Sequence, residues 1–294
     1  MAETSLRMPR SPAMLGRVLS AVGLLRESPV GIVGAVIIAF WVLVAVFAPW
    51  LAPYDPNATI TPMLTPGATD SAGNTFWLGT DHLGRDILSR IIHGSRRVLV
   101  LAPLATLCAY AVGIPMGLAA GYLRGAWDTV LSFVANVILS FPVLVLYVII
   151  IATVGASAVN ILVAITFASA PHIMRIMRGL ALDLRNREYV AAAQTRGEGA
   201  LWIMFVEILP NARGPIIVDA CLRLGYVIIT IGVLGFLGLG LPPPDPDWGG
   251  MINETRQLAM SFPHMAVFPC IAISSLVLGF NLLADGLREI SLRD

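Results

Sequence analysis

Few side chains in this sequence could carry chemistry. His82 precedes Asp86 by four residues and His93 by eleven, a spacing that could place all three on one face of a helix. A metal site would need a further ligand and a closed geometry. An interfacial helix with polar residues toward water explains the same spacing. Asp219 and Arg223 lie four apart inside an apolar run, with the acid N-terminal to the base, the favourable order for a pair on one helix face. Cys108, Cys221 and Cys270 each fall in an apolar run without a CxxC spacing, and are expected to be buried small hydrophobes. The sequence contains no HExxH, GxSxG or GxxxxGK[ST] motif. Zincin, α/β-hydrolase and P-loop chemistry therefore have no support in it.

The elements that must position these residues are set by apolarity. The chain has 294 residues, of which 57% are hydrophobic and 13% charged, and its mean hydropathy is +0.81; soluble domains carry about 25% charged residues. About 20 apolar residues cross the hydrocarbon core as a helix. Runs at 30–51, 98–120, 129–154, 156–174, 215–241 and 265–284 meet that length or approach it, which predicts six membrane helices. Closed barrels read as short alternating strands, and none are visible. An unpaired Arg near the bilayer centre costs about 2.5–3.5 kcal/mol on insertion scales. The Asp219–Arg223 face is therefore expected to line an aqueous pathway or to pack on a partner. The alternative is an intrahelical pair with Arg223 reaching toward the headgroups.

The basic residues orient the spans. All 19 are Arg. With a cytoplasmic N-terminus, 13 lie inside, five outside, and Arg223 lies within a span. The positive-inside bias puts both termini and residues 175–213 in the cytoplasm. Four units follow: a cytoplasmic segment at 1–29, the first span and a long external loop at 30–97, a five-helix core at 98–286, and a cytoplasmic terminus at 287–294. Residues 13–27 could form an amphipathic helix on the inner surface. Residues 1–29 lack the features of a cleaved signal peptide. The external loop starts Pro- and Thr-rich, then carries Leu83, Ile87, Leu88, Ile91 and Ile92 at helical spacing, which predicts an amphipathic interfacial helix over 78–97. Gly113, Gly117 and Gly121 either form a small-residue ridge that permits close helix packing or reflect the general frequency of glycine in membrane helices.

One charged stretch stands between two apolar runs, "EYVAAAQTRGEGALWIMFVEILPN" (188–211). It predicts two short helices joined at Gly197, the second ended by Pro210. They would form either a compact knob with a smooth face of Ala191, Ala192 and Ala193 or an ordinary cytoplasmic helical loop, and the residues alone favour neither.

This stretch resembles the EAA loop of ABC importer permeases: EAA, three residues, Gly, then a spacer ending in Leu-Pro. Here it reads Ala191-Ala192-Ala193, Gly197 and Leu209-Pro210. Ala191 stands where the pattern has Glu, with Glu188 the nearest acid, and Glu207 stands where it has a hydrophobic residue. Three further segments, "LAPYDP" (51–56), "LGTDHLGRDILSRIIHGSRR" (78–97) and "FLGLGLPPPDPDWGGMINETR" (236–256), resemble the C-type permease of the dipeptide, oligopeptide and nickel importers.

The resemblance implies an all-α membrane protein with the type I ABC importer permease fold, six transmembrane helices and a cytoplasmic EAA coupling loop. It implies that Glu188, Tyr189, Ala191, Ala192, Ala193, Gly197, Leu209 and Pro210 couple to an ATPase. Asp81, Arg85, Asp86, Asp247 and Trp248, on the two outer loops, become candidates to contact an external binding protein. It also implies a bacterial inner-membrane location. The partners would be a second, homologous permease, two cytoplasmic ATPases holding ATP-Mg, the external binding protein and membrane lipids, with no nucleic acid. This chain would hold no cofactor and hydrolyse nothing. Di- or oligopeptides are the implied cargo, with nickel, opines or another small solute as alternatives. An independent secondary transporter would use intramembrane acids and paired repeats. Only Asp219 lies well inside a span, and no repeat is evident.

Overall fold

In a computed structural model, residues 28–291 are described. The 13–27 amphipathic helix lies outside them, as do residues 292–294 of the expected C-terminal segment. The regular structure of the described chain is helical apart from a two-stranded antiparallel hairpin, β1 Ala68–Thr69 and β2 Thr75–Phe76, and loops connect the helices.

Helix α1, Pro29–Val46, is capped by Ser28, whose hydroxyl accepts from the Gly31 N–H, and has Pro29 in its first turn, where a missing N–H costs nothing. A short α2, Ala48–Leu51, ends the first span. α1 packs along α11, His264–Ser291. The contact is close because it is built on glycine: a β-carbon on Gly34 would lie 2.4 Å from the Leu283 nitrogen, and one on Gly286 would lie 2.4 Å from the Gly31 α-carbon. Trp41 adds a hydrogen bond from its indole to Ser275, 3.0 Å.

α3, Ile87–Leu123, is one helix of 37 residues, about 55 Å long at 1.5 Å per residue. The separate interfacial helix expected over 78–97 does not form. Residues 78–86 are loop, with a bridge between Thr80 and Asp86. Asp86 starts the helix by accepting from the Ser89 N–H, 2.8 Å. No helix break separates Ile87 from the apolar run, so interface and span share one rod longer than the roughly 30 Å hydrocarbon core.

The third expected span, 129–154, is two helices, α4 Gly125–Leu139 and α5 Val143–Val154, bent by 85°. Pro142 explains the bend. It disfavours helical backbone in the residue before it and lacks the N–H that would bridge the turn. Among the described residues, five helices are long and apolar enough to cross a membrane, six if the bent pair is one span.

α6, Ala158–Leu184, packs most extensively on α3. The glycine ridge makes this contact. β-carbons on Gly113, Gly117 and Gly121 would fall 2.7, 2.5 and 2.6 Å from the β-carbons of Ile173, Met177 and Ala181. Those residues are also spaced four apart, so the two helices mesh turn by turn. Val36, Phe40, Leu107, Phe133 and Val163 are exposed on the outside of the bundle, as expected where lipid is the solvent. Cys108 and Cys221 are half-buried, but Cys270 is exposed on α11, against the expectation of burial. An apolar thiol has little reason to avoid a lipid-facing surface.

Candidate functional site

The knob follows α6 directly. α7, Glu188–Thr195, ends at Arg196, and Gly197 takes φ +79°. The Gly197 N–H donates to the Gln194 carbonyl, 3.0 Å, and the Glu198 N–H to the Ala193 carbonyl, 3.2 Å. This is the Schellman closure that requires a left-handed residue. A β-carbon on Gly197 would meet nothing within 4 Å, so backbone conformation, not space, calls for glycine here.

α8, Ala200–Asn211, carries a π-helical stretch at Ile203–Ile208. It continues one residue past Pro210, and the break falls at Ala212, whose N–H is shared by the Ile208 and Leu209 carbonyls. α9, Arg213–Phe236, begins at once. The knob is thus joined without a linker to the helix that carries Asp219 and Arg223.

The two faces of the knob differ. Val190 and Ala193 are fully buried against Leu118, Met177, Ile203 and Ile208. Ala191 and Ala192 are exposed, as is Glu188. The expected three-alanine face is therefore split: Ala193 anchors the knob and the other two alanines point away. Leu201, Trp202, Phe205 and Val206 are also exposed. Glu207 has a local role: Arg196 bridges Glu198 at 2.8 Å and Glu207 at 3.4 Å, tying the two short helices together. Tyr189 is half-buried beside them, and burial pushes its phenol up.

The opposite end of the bundle carries a cap built by the loops around residues 78–86 and 237–256. Asp81 accepts from the Leu83 and Arg85 N–H groups, both 2.9 Å, and pairs with the Arg85 guanidinium at 2.6 Å. Arg85 also pairs with Glu254. Asp247 caps α10, Trp248–Thr255, through the Gly250 N–H at 3.1 Å. Burial pushes its carboxyl up to about 6. The Trp248 indole donates to the Ile91 carbonyl, 3.0 Å, and packs edge-on against Trp41 with ring centres 5.0 Å apart.

All five residues expected to touch a binding protein, Asp81, Arg85, Asp86, Asp247 and Trp248, are buried. Their polar groups are spent on helix caps and internal pairs, so they shape the cap and offer no surface. Trp77, Leu83 and Met260 are exposed there instead. His82, Asp86 and His93 do not share a helix face: His82 is in the loop and Asp86 is the cap of α3. His82 lies instead with Asp81 and Glu254, their ligand atoms within 4.8 Å. Arg85 already neutralises both carboxylates of that group.

A third feature lies between the ends. Asp219 and Arg223 pair at 2.7 Å, and the Tyr110 hydroxyl of α3 donates to the same carboxylate oxygen. They border a cavity of about 470 Å³ between α3, α5, α6 and α9, whose polar walls include Tyr147, Ser169, His172 and Thr230. Sequence reasoning found the pair but not Tyr110 or His172. The available signal was the presence of hydrogen-bonding side chains at depth in three other apolar runs.

A helical knob joined without a linker at one end of a multi-span bundle, a cap at the other and a cavity of mixed lining between them form an arrangement that fits a transport permease. Residues 113–294 match the family described as binding-protein-dependent transport system inner membrane component, and residues 21–71 match the N-terminal TM domain of oligopeptide transport permease C. The chain belongs to this family of inner-membrane permeases. It is 36% identical to the dipeptide transport system permease protein DppC of Haemophilus influenzae, covering 88% of each chain. It is 39% identical to the di/tripeptide transport system permease protein DppC of Pseudomonas aeruginosa, covering 84% of this chain and 82% of that one. It is 37% identical to the glutathione transport system permease protein GsiD of Pectobacterium atrosepticum, covering 88% and 85%. A solved structure of the MetNI methionine ABC transporter in inward-facing conformations shares the fold, with TM-score 0.58 and 17% identity over 69% of this chain and 97% of that one.

Proposed function

We propose that this chain is one permease subunit of an ATP-driven, binding-protein-dependent importer of short peptides. The observation that carries this reading is the knob: exposed Ala191 and Ala192 on a helix locked at Gly197 and joined without a linker to α9. Small side chains on an exposed helix let a partner approach closely, and a rigid connection passes its displacement into the membrane. A peptide cargo is supported by the names of the relatives.

In this reading two cytoplasmic ATPases hold ATP-Mg and seat the knob residues Glu188, Tyr189, Ala191, Ala192, Gly197, Leu209 and Pro210. A second, homologous permease completes the pathway, and this chain hydrolyses nothing. ATP binding draws the two knobs together and opens the outer end to a binding protein. The excess of Arg around residues 175–213 supports a cytoplasmic knob and cytoplasmic termini. The organisation into a 1–29 segment, a 30–97 first span and loop, a 98–286 core and a 287–294 terminus serves this scheme. The exposed cap side chains Trp77, Leu83 and Met260 meet the binding protein, while the buried five hold the cap's shape.

The test is uptake of a radiolabelled dipeptide by proteoliposomes containing the whole complex, with ATP inside and the complex's own binding protein outside. Wild type accumulates peptide. Ala192→Trp remains in the membrane but loses uptake and retains less ATPase on purification. Normal uptake in Ala192→Trp counts against the knob.

A further inference from the structure

We propose that the cavity beside Asp219 and Arg223 is a transient peptide site, which takes a short zwitterionic peptide by exchanging the internal ion pair for one pair at each peptide terminus. This rests on the peptide-importer reading above. Arg223 is the eleventh residue of α9, about 15 Å from the helix start at 1.5 Å per residue. The pair therefore sits near mid-span, where charged side chains are expensive and usually serve a pathway. It is not sealed off: both side chains retain some exposure, 20% for Asp219 and 16% for Arg223, and both line the cavity.

The volume of about 470 Å³ falls within the roughly 300–1,000 Å³ of small-molecule sites. The walls are mixed, as a peptide requires. Val143, Leu222 and Val227 offer apolar surface, and Ser169, His172 and Thr230 offer hydrogen-bonding groups to an amide.

Charge balance selects the ligand. A lone anion or cation that displaced one member of the pair would strand the other without a partner, the costly outcome for charges held away from water. A zwitterion brings both signs. Its ammonium replaces Arg223 at Asp219, and its carboxylate takes the freed guanidinium, so no charge is left unpaired. Tyr110 keeps its hydrogen bond to Asp219 through the exchange and holds that carboxylate in place. A pair that must be broken on entry and re-forms on exit also keeps binding weak, as a pathway needs.

The test uses the assembled complex of both permeases and both ATPases, without binding protein. Cys108, Cys221 and Cys270 are replaced, and a single cysteine is placed at Ser169 or, separately, at Thr230. A small cationic methanethiosulfonate reagent should modify either cysteine. Saturating dialanine should slow modification about tenfold by mass action, whereas N-acetyl-dialanine amide, which has no charged terminus, should not. An Asp219→Asn, Arg223→Gln double variant, polar but neutral at both positions, should lose the protection by dialanine. Equal protection by the capped peptide overturns the charge exchange. So does a reactive cysteine that dialanine does not protect. Cysteines unreactive at both positions would mean that the partner permease fills the cavity, which also overturns the proposal. The importer reading is judged separately, by dialanine accumulation in wild-type proteoliposomes supplied with binding protein. Accumulation without protection removes the site and leaves the transporter.

Discussion

Gly117 of α3 and Met177 of α6 stand so close that a β-carbon on the glycine would lie 2.5 Å from the methionine β-carbon and 2.6 Å from the Met174 carbonyl oxygen. The second contact is backbone and cannot be relieved by a rotamer change. This crossing fixes the end of α6 that leads into the knob, and Met177 itself packs against Leu118, Val190 and Ala193.

Gly117→Val should therefore destabilise the bundle, by about 1–3 kcal/mol for an overpacked core position. The melting temperature of the purified complex should fall. Gly179→Val, on the same helix as Met177 but with nothing within 4 Å of the added β-carbon, should shift it much less. Equal shifts would mean that helix propensity, not the close crossing, sets the effect.

Gly197 makes the opposite case. Its surroundings are empty and its φ is +79°, so the cost of substitution depends on backbone preference alone. Gly197→Leu should cost about 1–2 kcal/mol locally and reduce ATPase co-purification. Gly197→Asn, which enters the left-handed region more readily, should keep most of it. A Leu variant that matches wild type in co-purification contradicts the capping argument.

Asp247 links the cap opposite the knob to pH. Burial raises its carboxyl from 3.8 to about 6, so between those values the folded state holds a proton that the unfolded state has lost. Stability from this group is therefore fully present below about pH 4 and is lost as pH rises through 6. The shift corresponds to roughly 3 kcal/mol at neutral pH. Asp247→Asn keeps an N-cap side chain without the buried charge. It should melt higher than wild type at pH 7, and the gap should shrink on acidification to pH 4. A gap that widens on acidification would reverse the sign and refute the buried-charge account.

The orientation can be read with single cysteines in a background lacking Cys108, Cys221 and Cys270. Cysteines at Thr65 and Met260 should react with an impermeant thiol reagent added outside intact cells. Those at Arg187 and Ala192 should react only after permeabilisation. The reverse pattern would place the knob on the wrong side for a cytoplasmic ATPase.

Much of this architecture was legible because lipid imposes a simple rule. Long apolar runs become helices: five of the six runs each form one long helix, and the run at 129–154 forms two. The joints were less legible. Pro142 disfavours continuous helix within the 129–154 run, but the 85° angle between the two halves also depends on what α5 packs against. The merging of the 78–97 segment into α3 depends on Asp86, which hydrophobic spacing does not register as a cap. The burial of Asp81, Arg85 and Trp248 was hidden because their partners are distant in sequence: Glu254 for Arg85 and Ile91 for Trp248. The knob was legible through Gly197 and its spacing to Pro210. That Ala193 turns inward while Ala191 and Ala192 turn outward is a matter of helix phase, which three consecutive alanines cannot reveal.

Coupling through the knob requires that the exposed face of α7 touch an ATPase. The most direct measurement is photo-crosslinking in the assembled complex, with a photoreactive amino acid placed singly at Ala192 or at Met260 on the outer cap. Ala192 should yield an adduct with an ATPase subunit that strengthens when ATP is bound, and Met260 should yield none. An Ala192 probe that crosslinks only to lipid or to the external binding protein, with the ATPases present in the complex, would contradict the account.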